Sequence, residues 1–195
     1  MFRRLFSRRS KAKKPSAGKP LPQLAMIRDH LEDLPDIIVS EGYELRTYRP
    51  GDEAAWCAIM EGNVGRNWTP DRCRKDLIDD PRFHPENLFF VTRDGEPVAS
   101  ACAWCKSIDD RQSGSVHMVA ALESHRGKGL GHLLNAAVLH RLRELGYEQA
   151  TLATDDHRLP AIKSYLAAGM RPHHTHESHP ERWKTVLAQL GCPEP

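Results

Sequence analysis

The sequence predicts an α/β fold of the α+β type, a mixed sheet flanked by helices, and three observations carry that reading. Alternating segments and helical segments follow one another in the order βα(α)βββαβα and then a terminal segment, which is neither the repeating βα of a doubly wound fold nor a bundle. A glycine-rich turn joins a strand directly to the strongest helix of the chain. At 195 residues the chain is long enough to close one core and short for two, so one domain with an extension is expected.

From the N-terminus, residues 1–22 read as a disordered basic arm, because the Lys, Pro, Ser and Gly there bury too little apolar surface to offset chain ordering. Leu24, Ile27, Leu31 and Leu34 recur at helical spacing before Pro35, so residues 23–40 are expected to form a short helix and linker. The folded domain is then 41–195. Tyr43, Leu45 and Thr47 alternate with polar residues as a strand does, and Pro50-Gly51-Asp52 turns the chain into a helix starting near Glu53. Residues 62–84 are polar and turn-rich, with an amphipathic fragment around Asp71–Ile78. Leu88–Thr92 and Val98–Lys106 read as strands of a hairpin about Asp94-Gly95, and Gly114–Ala121 as the next strand. Leu130, Leu133, Leu134, Ala137, Val138, Leu142 and Leu145 share one helical face that ends at Gly146. Gln149–Thr154 reads as a strand, and Pro160 opens a helix that runs to Ala168 and is capped by Gly169.

Composition excludes several classes. No stretch approaches the roughly 18 uncharged apolar residues of a membrane-spanning helix, and the start lacks a secretory signal core, so a soluble cytoplasmic protein is expected. Five cysteines are an odd number in a chain of ordinary size and read as reduced thiols. Cys102-Ala103-Trp104-Cys105 has the gap of a zinc half-site without a second half, so no metal is expected there. Residues 1–20 carry eight basic groups and no acidic one; the remainder holds 20 basic against 26 acidic groups and is acidic by six.

The chemistry concentrates in Arg126-Gly127-Lys128-Gly129-Leu130-Gly131. A helix N-terminus offers unpaired N–H groups and about half a positive charge, and alternate glycines let the backbone wrap an anion closely. Arg126 and Lys128 add formal charge to what reads as a pyrophosphate site. A P-loop needs Ser or Thr after its lysine, whereas Gly129 follows Lys128; a dinucleotide fingerprint needs its third glycine at the position His132 occupies.

The loop resembles the (Gln/Arg)xxGx(Gly/Ala) signature of the GNAT superfamily of N-acetyltransferases at Arg126, Gly129 and Gly131. Pro160-Ala161-Ile162-Lys163-Ser164-Tyr165-Leu166-Ala167-Ala168-Gly169-Met170 resembles that family's second signature, and Tyr43–Glu53 its first strand and turn, so the likeness covers roughly residues 41–175. The resemblance implies a mostly antiparallel central sheet, splayed where acyl-CoA binds. It further implies acetyl-CoA as co-substrate, with Val119 and Ala121 pairing with the pantetheine arm through their main chain, and with Arg126, Gly127, Lys128, Gly129, Leu130 and Gly131 around the pyrophosphate. Transfer to a primary amine would then be direct, with Tyr165 protonating the leaving sulfur. The chain departs from the pattern at Arg158, where many members carry Asn, and at Met170, where an aromatic residue is usual.

Beside that role, Tyr165 also fits a core aromatic, since it shares a face with Ala161, Ile162 and Leu166. His117 and Glu123 are the candidates for general base, each with a structural reading beside it. His173, His174, His176 and His179 read as a substrate-side loop or solvated strand. The arm, with Phe2, Leu5 and Phe6 among its arginines, suits an anionic membrane or nucleic acid, or serves as a solubilising tail. The acceptor, a small-molecule or protein amine, and the oligomeric state are not legible; the alternative function is a non-catalytic acyl-CoA sensor recruited through the arm.

Overall fold

The computed structural model describes residues 20–107, 109–110 and 112–192. The basic arm, except Pro20, Leu21 and Pro22, lies outside them; those three are exposed and carry no regular structure. The chain runs β1 (Leu24–Arg28), β2 (Tyr43–Thr47), α1 (Glu53–Met60), α2 (Pro70–Cys73) with a π-helical turn at Arg74–Ile78, β3 (Leu88–Arg93), β4 (Glu96–Cys105), β5 (Ser113–Ala121), α3 (Leu130–Glu144), β6 (Gln149–Thr154), α4 (Leu159–Ala167), β7 (Arg171–His173) and α5 (His179–Leu190). One seven-stranded open sheet has the order β2-β3-β4-β5-β6-β1-β7. Every pairing is antiparallel except β5 with β6. Among the described residues no helix is long and apolar enough to cross a membrane.

The sheet separates two cores. On one face α3, α4 and α5 pack Leu134, Leu139, Leu142, Ile162 and Trp183 against the strands. On the other, α1 and α2 bury Trp56, Ile59, Met60 and Cys73 against Phe90 and Cys102. The first turn is locked by a fork from Arg46 to Asp52, with Nη1–Oδ2 at 2.6 Å and Nη2–Oδ1 at 2.8 Å, and Asp52 also accepts the Arg49 N–H at 2.7 Å. Asp94 and Gly95 both take positive φ, as a tight hairpin with two left-handed central residues requires.

The expected helix of 23–40 is instead a strand. β1 lies inside the sheet, pairing β6 from Leu24↔Thr154 to Arg28↔Ala150 and β7 at Ala25↔His173. A strand covered on both faces reads as a continuous apolar run, and Leu24-Ala25-Met26-Ile27 offers no period by which to tell it from a helix. The terminal segment also holds more than the sequence reading allowed: β7 is the far edge strand, and α5 buries His179, Trp183, Val186 and Leu187. Within the histidine cluster, His179 Nδ1 accepts the Thr175 N–H at 3.3 Å and His176 Nδ1 accepts the Ser178 N–H at 3.1 Å, so both rings brace the turn into α5. Among the described residues no group of three or more His, Cys, Asp or Glu side chains is arranged to hold a metal ion.

Candidate active site

The site is a fork in the sheet. β5 and β6 pair only at Ser113↔Gln149, Gly114↔Ala150 and Ser115↔Thr151, although β5 runs on to Ala121 and β6 to Thr154. Each arm is held from its outer side, β5 by β4 through Ala99↔Ala121 and β6 by β1 through Leu24↔Thr154. The inner edges of Val119 and Ala121 therefore open into a cleft of about 890 Å³, whose walls are the start of α3, the start of α4 and the Gly62-Asn63 turn.

At the floor of that cleft, Gly127 has φ 73° and Gly129 φ 78°. Gly129 is the N-cap of α3 and no side chain caps it, so the first-turn N–H groups face the cleft without competition. Arg126, exposed, donates from Nη2 to Asn63 Oδ1 at 2.6 Å, while Asn63 Nδ2 donates to Ile59 O at 2.7 Å and to Ala121 O at 3.3 Å. One amide thus ties α1, the end of β5 and the loop together. Three cations (Arg126, Arg158 and Lys163) and three histidines line the cleft, and no Asp or Glu does. In a body that is acidic by six, that separation of charge defines an anion site.

Of the residues expected around the cofactor, Val119, Ala121, Arg126, Gly127, Gly129, Leu130 and Gly131 line the cleft; Lys128 is exposed beside it and does not. Tyr165 lines the cleft too, yet is 3% exposed and belongs to the core on the α3 side. Burial pushes its phenol pKa up, and the nearby charge of Arg158 opposes that rise.

His117 and Glu123 stand elsewhere. Strict alternation along β5 would put His117 on the face of Val119 and Ala121, but a bulge intervenes: Met118 has φ 54° and the register with β4 shifts between Ser100 and Cys102. His117 therefore stacks on Trp104, at 5.9 Å between centroids and 25° between planes, toward the α1–α2 core. Burial lowers its pKa, with Arg82, whose guanidinium lies 4.7 Å from the Trp104 centroid, adding to the effect. Glu123 is exposed on a single helical turn, Glu123–His125, that leads into the loop. Neither side chain lines the cleft.

Sequence reasoning missed Asn63 and the part played by Arg158. Nothing local marks Asn63, because its partners lie 58 and 63 residues away. Arg158 was visible only as a departure; in the fold its Nη2 donates to Val119 O at 3.0 Å, across the fork.

A forked sheet with an anion-binding helix start at its mouth defines an acyl-CoA-type transferase scaffold, and the acetyltransferase (GNAT) family matches residues 52–170. The chain belongs to that family. It is similar to the mycothiol acetyltransferase of Streptomyces bingchenggensis, 33% identical over 150 residues, covering 73% of this chain and 47% of the relative. It is likewise similar to that of Thermomonospora curvata, 33% identical over 154 residues, 75% of this chain and 50% of the relative. The chain thus spans about half the length of the curated relatives it matches. Among solved structures, a GCN5-related N-acetyltransferase from Sphaerobacter thermophilus shares the fold with a TM-score of 0.61 at 21% identity, over 79% of this chain and 50% of that one. One from Kribbella flavida does so with a TM-score of 0.56 at 24% identity, over 78% and 55%.

Proposed function

We propose that the chain transfers the acetyl group of acetyl-CoA to a primary amine by direct attack, without a covalent enzyme intermediate. The observation that carries this reading is the fork: two strands that part beyond Ser115 and Thr151, beside an uncapped helix start, in a cleft with cations and no carboxylate. The residues fit the cofactor. Backbone amides of 129–131 would hold its pyrophosphate, with Arg126 and Lys128 beside it, and the Val119 and Ala121 main chain would pair with its pantetheine amides. The cofactor supplies an activated thioester; the protein orients it, excludes water and moves protons.

Tyr165 is the proton donor in this reading, because burial keeps its hydroxyl protonated beyond the ordinary phenol range. His117, neutral to lower pH than a solvent-exposed imidazole, is the better candidate base, acting through one water from the α1–α2 side. Glu123 is the weaker one, since nothing aims it at the fork. The mycothiol acetyltransferases among its relatives support a small-molecule amine rather than a protein amine as the proposed acceptor.

The deciding experiment follows thiol release from acetyl-CoA over a panel of small-molecule and peptide amines that includes the acceptor of the mycothiol acetyltransferases. Amine-dependent release supports transfer. Binding of acetyl-CoA with no release across the panel would replace the enzyme with an acyl-CoA sensor.

A further inference from the structure

Arg158 is the N-cap residue of α4 and stands at the mouth of the fork. Its Nη2 donates to Val119 O at 3.0 Å, four positions beyond the last residue of β5 that pairs with β6. Among the described residues no carboxylate pairs with this guanidinium, and none lines the cleft around it. Its field reaches the Tyr165 hydroxyl, where it opposes the effect of burial. A half-buried cation held by one carbonyl and no counter-ion is poorly compensated until an anion arrives beside it.

The proposed reaction makes such an anion. The amine nitrogen forms its bond to the thioester carbon, the C–S bond breaks, and its electron pair stays on sulfur. The ammonium proton passes to base and solvent, and the Tyr165 hydroxyl proton goes to the sulfur and is replaced from solvent, so the products are an acetamide and CoA thiol. We infer that Arg158 is a catalytic residue that stabilises the departing CoA thiolate, its guanidinium aimed by the Val119 carbonyl and its charge acting alongside the Tyr165 proton. The inference rests on the acetyl-transfer reading above. A fixed positive charge stabilises a leaving sulfur directly.

The test uses CoA itself, so that it needs no acceptor. The full chain and its Arg158→Gln and Arg158→Lys variants are saturated with CoA, and ionisation of the bound thiol is followed through the ultraviolet absorbance of the thiolate. An opposite charge within a few ångströms favours ionisation by about 1 pKa unit or more, so the thiol should ionise at least ~tenfold more readily in the wild type than in Arg158→Gln, with Arg158→Lys close to the wild type. With an amine acceptor, Arg158→Gln should lower kcat on the order of 10-fold to 100-fold and leave the KM for acetyl-CoA within about threefold. Equal thiol ionisation in all three proteins overturns the assignment. So does an Arg158→Gln variant that binds acetyl-CoA more tightly at unchanged kcat, which would mean that the guanidinium only fills the strand edge. If Arg158→Gln melts early, the comparison of Arg158→Lys with Arg158→Met decides, because both retain the aliphatic stem and only one the charge. A wild type that fails to bind CoA sinks the cofactor site and this role together; one that binds CoA but acetylates nothing sinks the transfer reading and the catalytic role with it, and the thiol titration then tells whether the guanidinium stabilises a bound thiolate at all.

Discussion

Tyr165 is a core residue that also lines the cleft, and the proposed reaction gives it a second duty. It shares a buried cluster with Ile162 and Leu130 and stands among the residues that line the cleft. Tyr165→Phe is therefore expected to keep the melting temperature and CoA affinity and to slow single-turnover acetyl transfer, by about 100-fold at the low end of general acid catalysis, because a thiolate is already a good leaving group. An unchanged rate would return the residue to the core alone. The same burial sets a sign for pH: the donor must be protonated, and its pKa is raised, so any loss of kcat through tyrosine ionisation should come at higher pH than an exposed phenol would give. His117 works in the opposite sense. Burial holds the imidazole neutral to lower pH than an exposed histidine, so an acid limb set by this proposed base lies below the ordinary histidine range, and His117→Gln should remove the limb from the pH profile of kcat/KM. A limb that persists would exclude it. The motif spacing made Tyr165 legible from sequence, whereas the facing of His117 was not, since the bulge at Met118 reverses an alternation that otherwise holds along the strand.

At the scale of elements, the loop and helix α3 were readable because they are local: seven apolar positions at helical spacing follow three alternate glycines within twenty residues. Gly129, at φ 78° with open space where a Cβ would stand, separates strain from charge. Gly129→Ala should cost about 1–2 kcal/mol of stability from the left-handed backbone alone and weaken CoA binding modestly, whereas Gly129→Glu should abolish binding in a folded protein, by calorimetry. Wild-type affinity in the Glu variant would contradict the site. β1 is the opposite case. It lies outside the matched segment 52–170, yet it holds the outer edge of β6 and so keeps the fork open. It also carries Arg28, a buried cation that donates to Ala168 O at 2.9 Å, Glu32 O at 2.6 Å, His30 O at 3.0 Å and Asp33 O at 3.0 Å, capping the C-terminus of the helix that bears Tyr165. A Cβ on Gly169, itself at φ 78°, would collide with that guanidinium. Arg28→Met is expected to destabilise by about 2–4 kcal/mol, read as a lowered denaturation midpoint at unchanged slope, because several carbonyls lose a charged donor together.

For the molecule as a whole, charge is partitioned three ways: a basic N-terminal stretch, an acidic body and a cleft lined without a carboxylate. Removing residues 1–20 is expected to leave acetyl transfer to a small amine within about twofold and to remove any salt-sensitive binding to anionic vesicles or nucleic acid. A large fall in turnover at saturating acetyl-CoA would instead assign the arm to the active site. Extending the deletion through Arg28 removes an interior strand, and the remainder should fail to unfold cooperatively.

The sequence by itself determined the class of fold, the glycine loop at the start of α3, the helix that bears Tyr165 and the family likeness, because each is written in residues near one another along the chain. Only the tertiary structure decided that Leu24–Arg28 is a strand, that Asn63 ties the loop to β5, that His117 faces away from α3, and that Arg158 spans the fork to Val119. Those depend on partners 39 or more residues away or on a one-residue shift in strand register. Hydrophobic periodicity records which side of an element is buried, not against which distant neighbour.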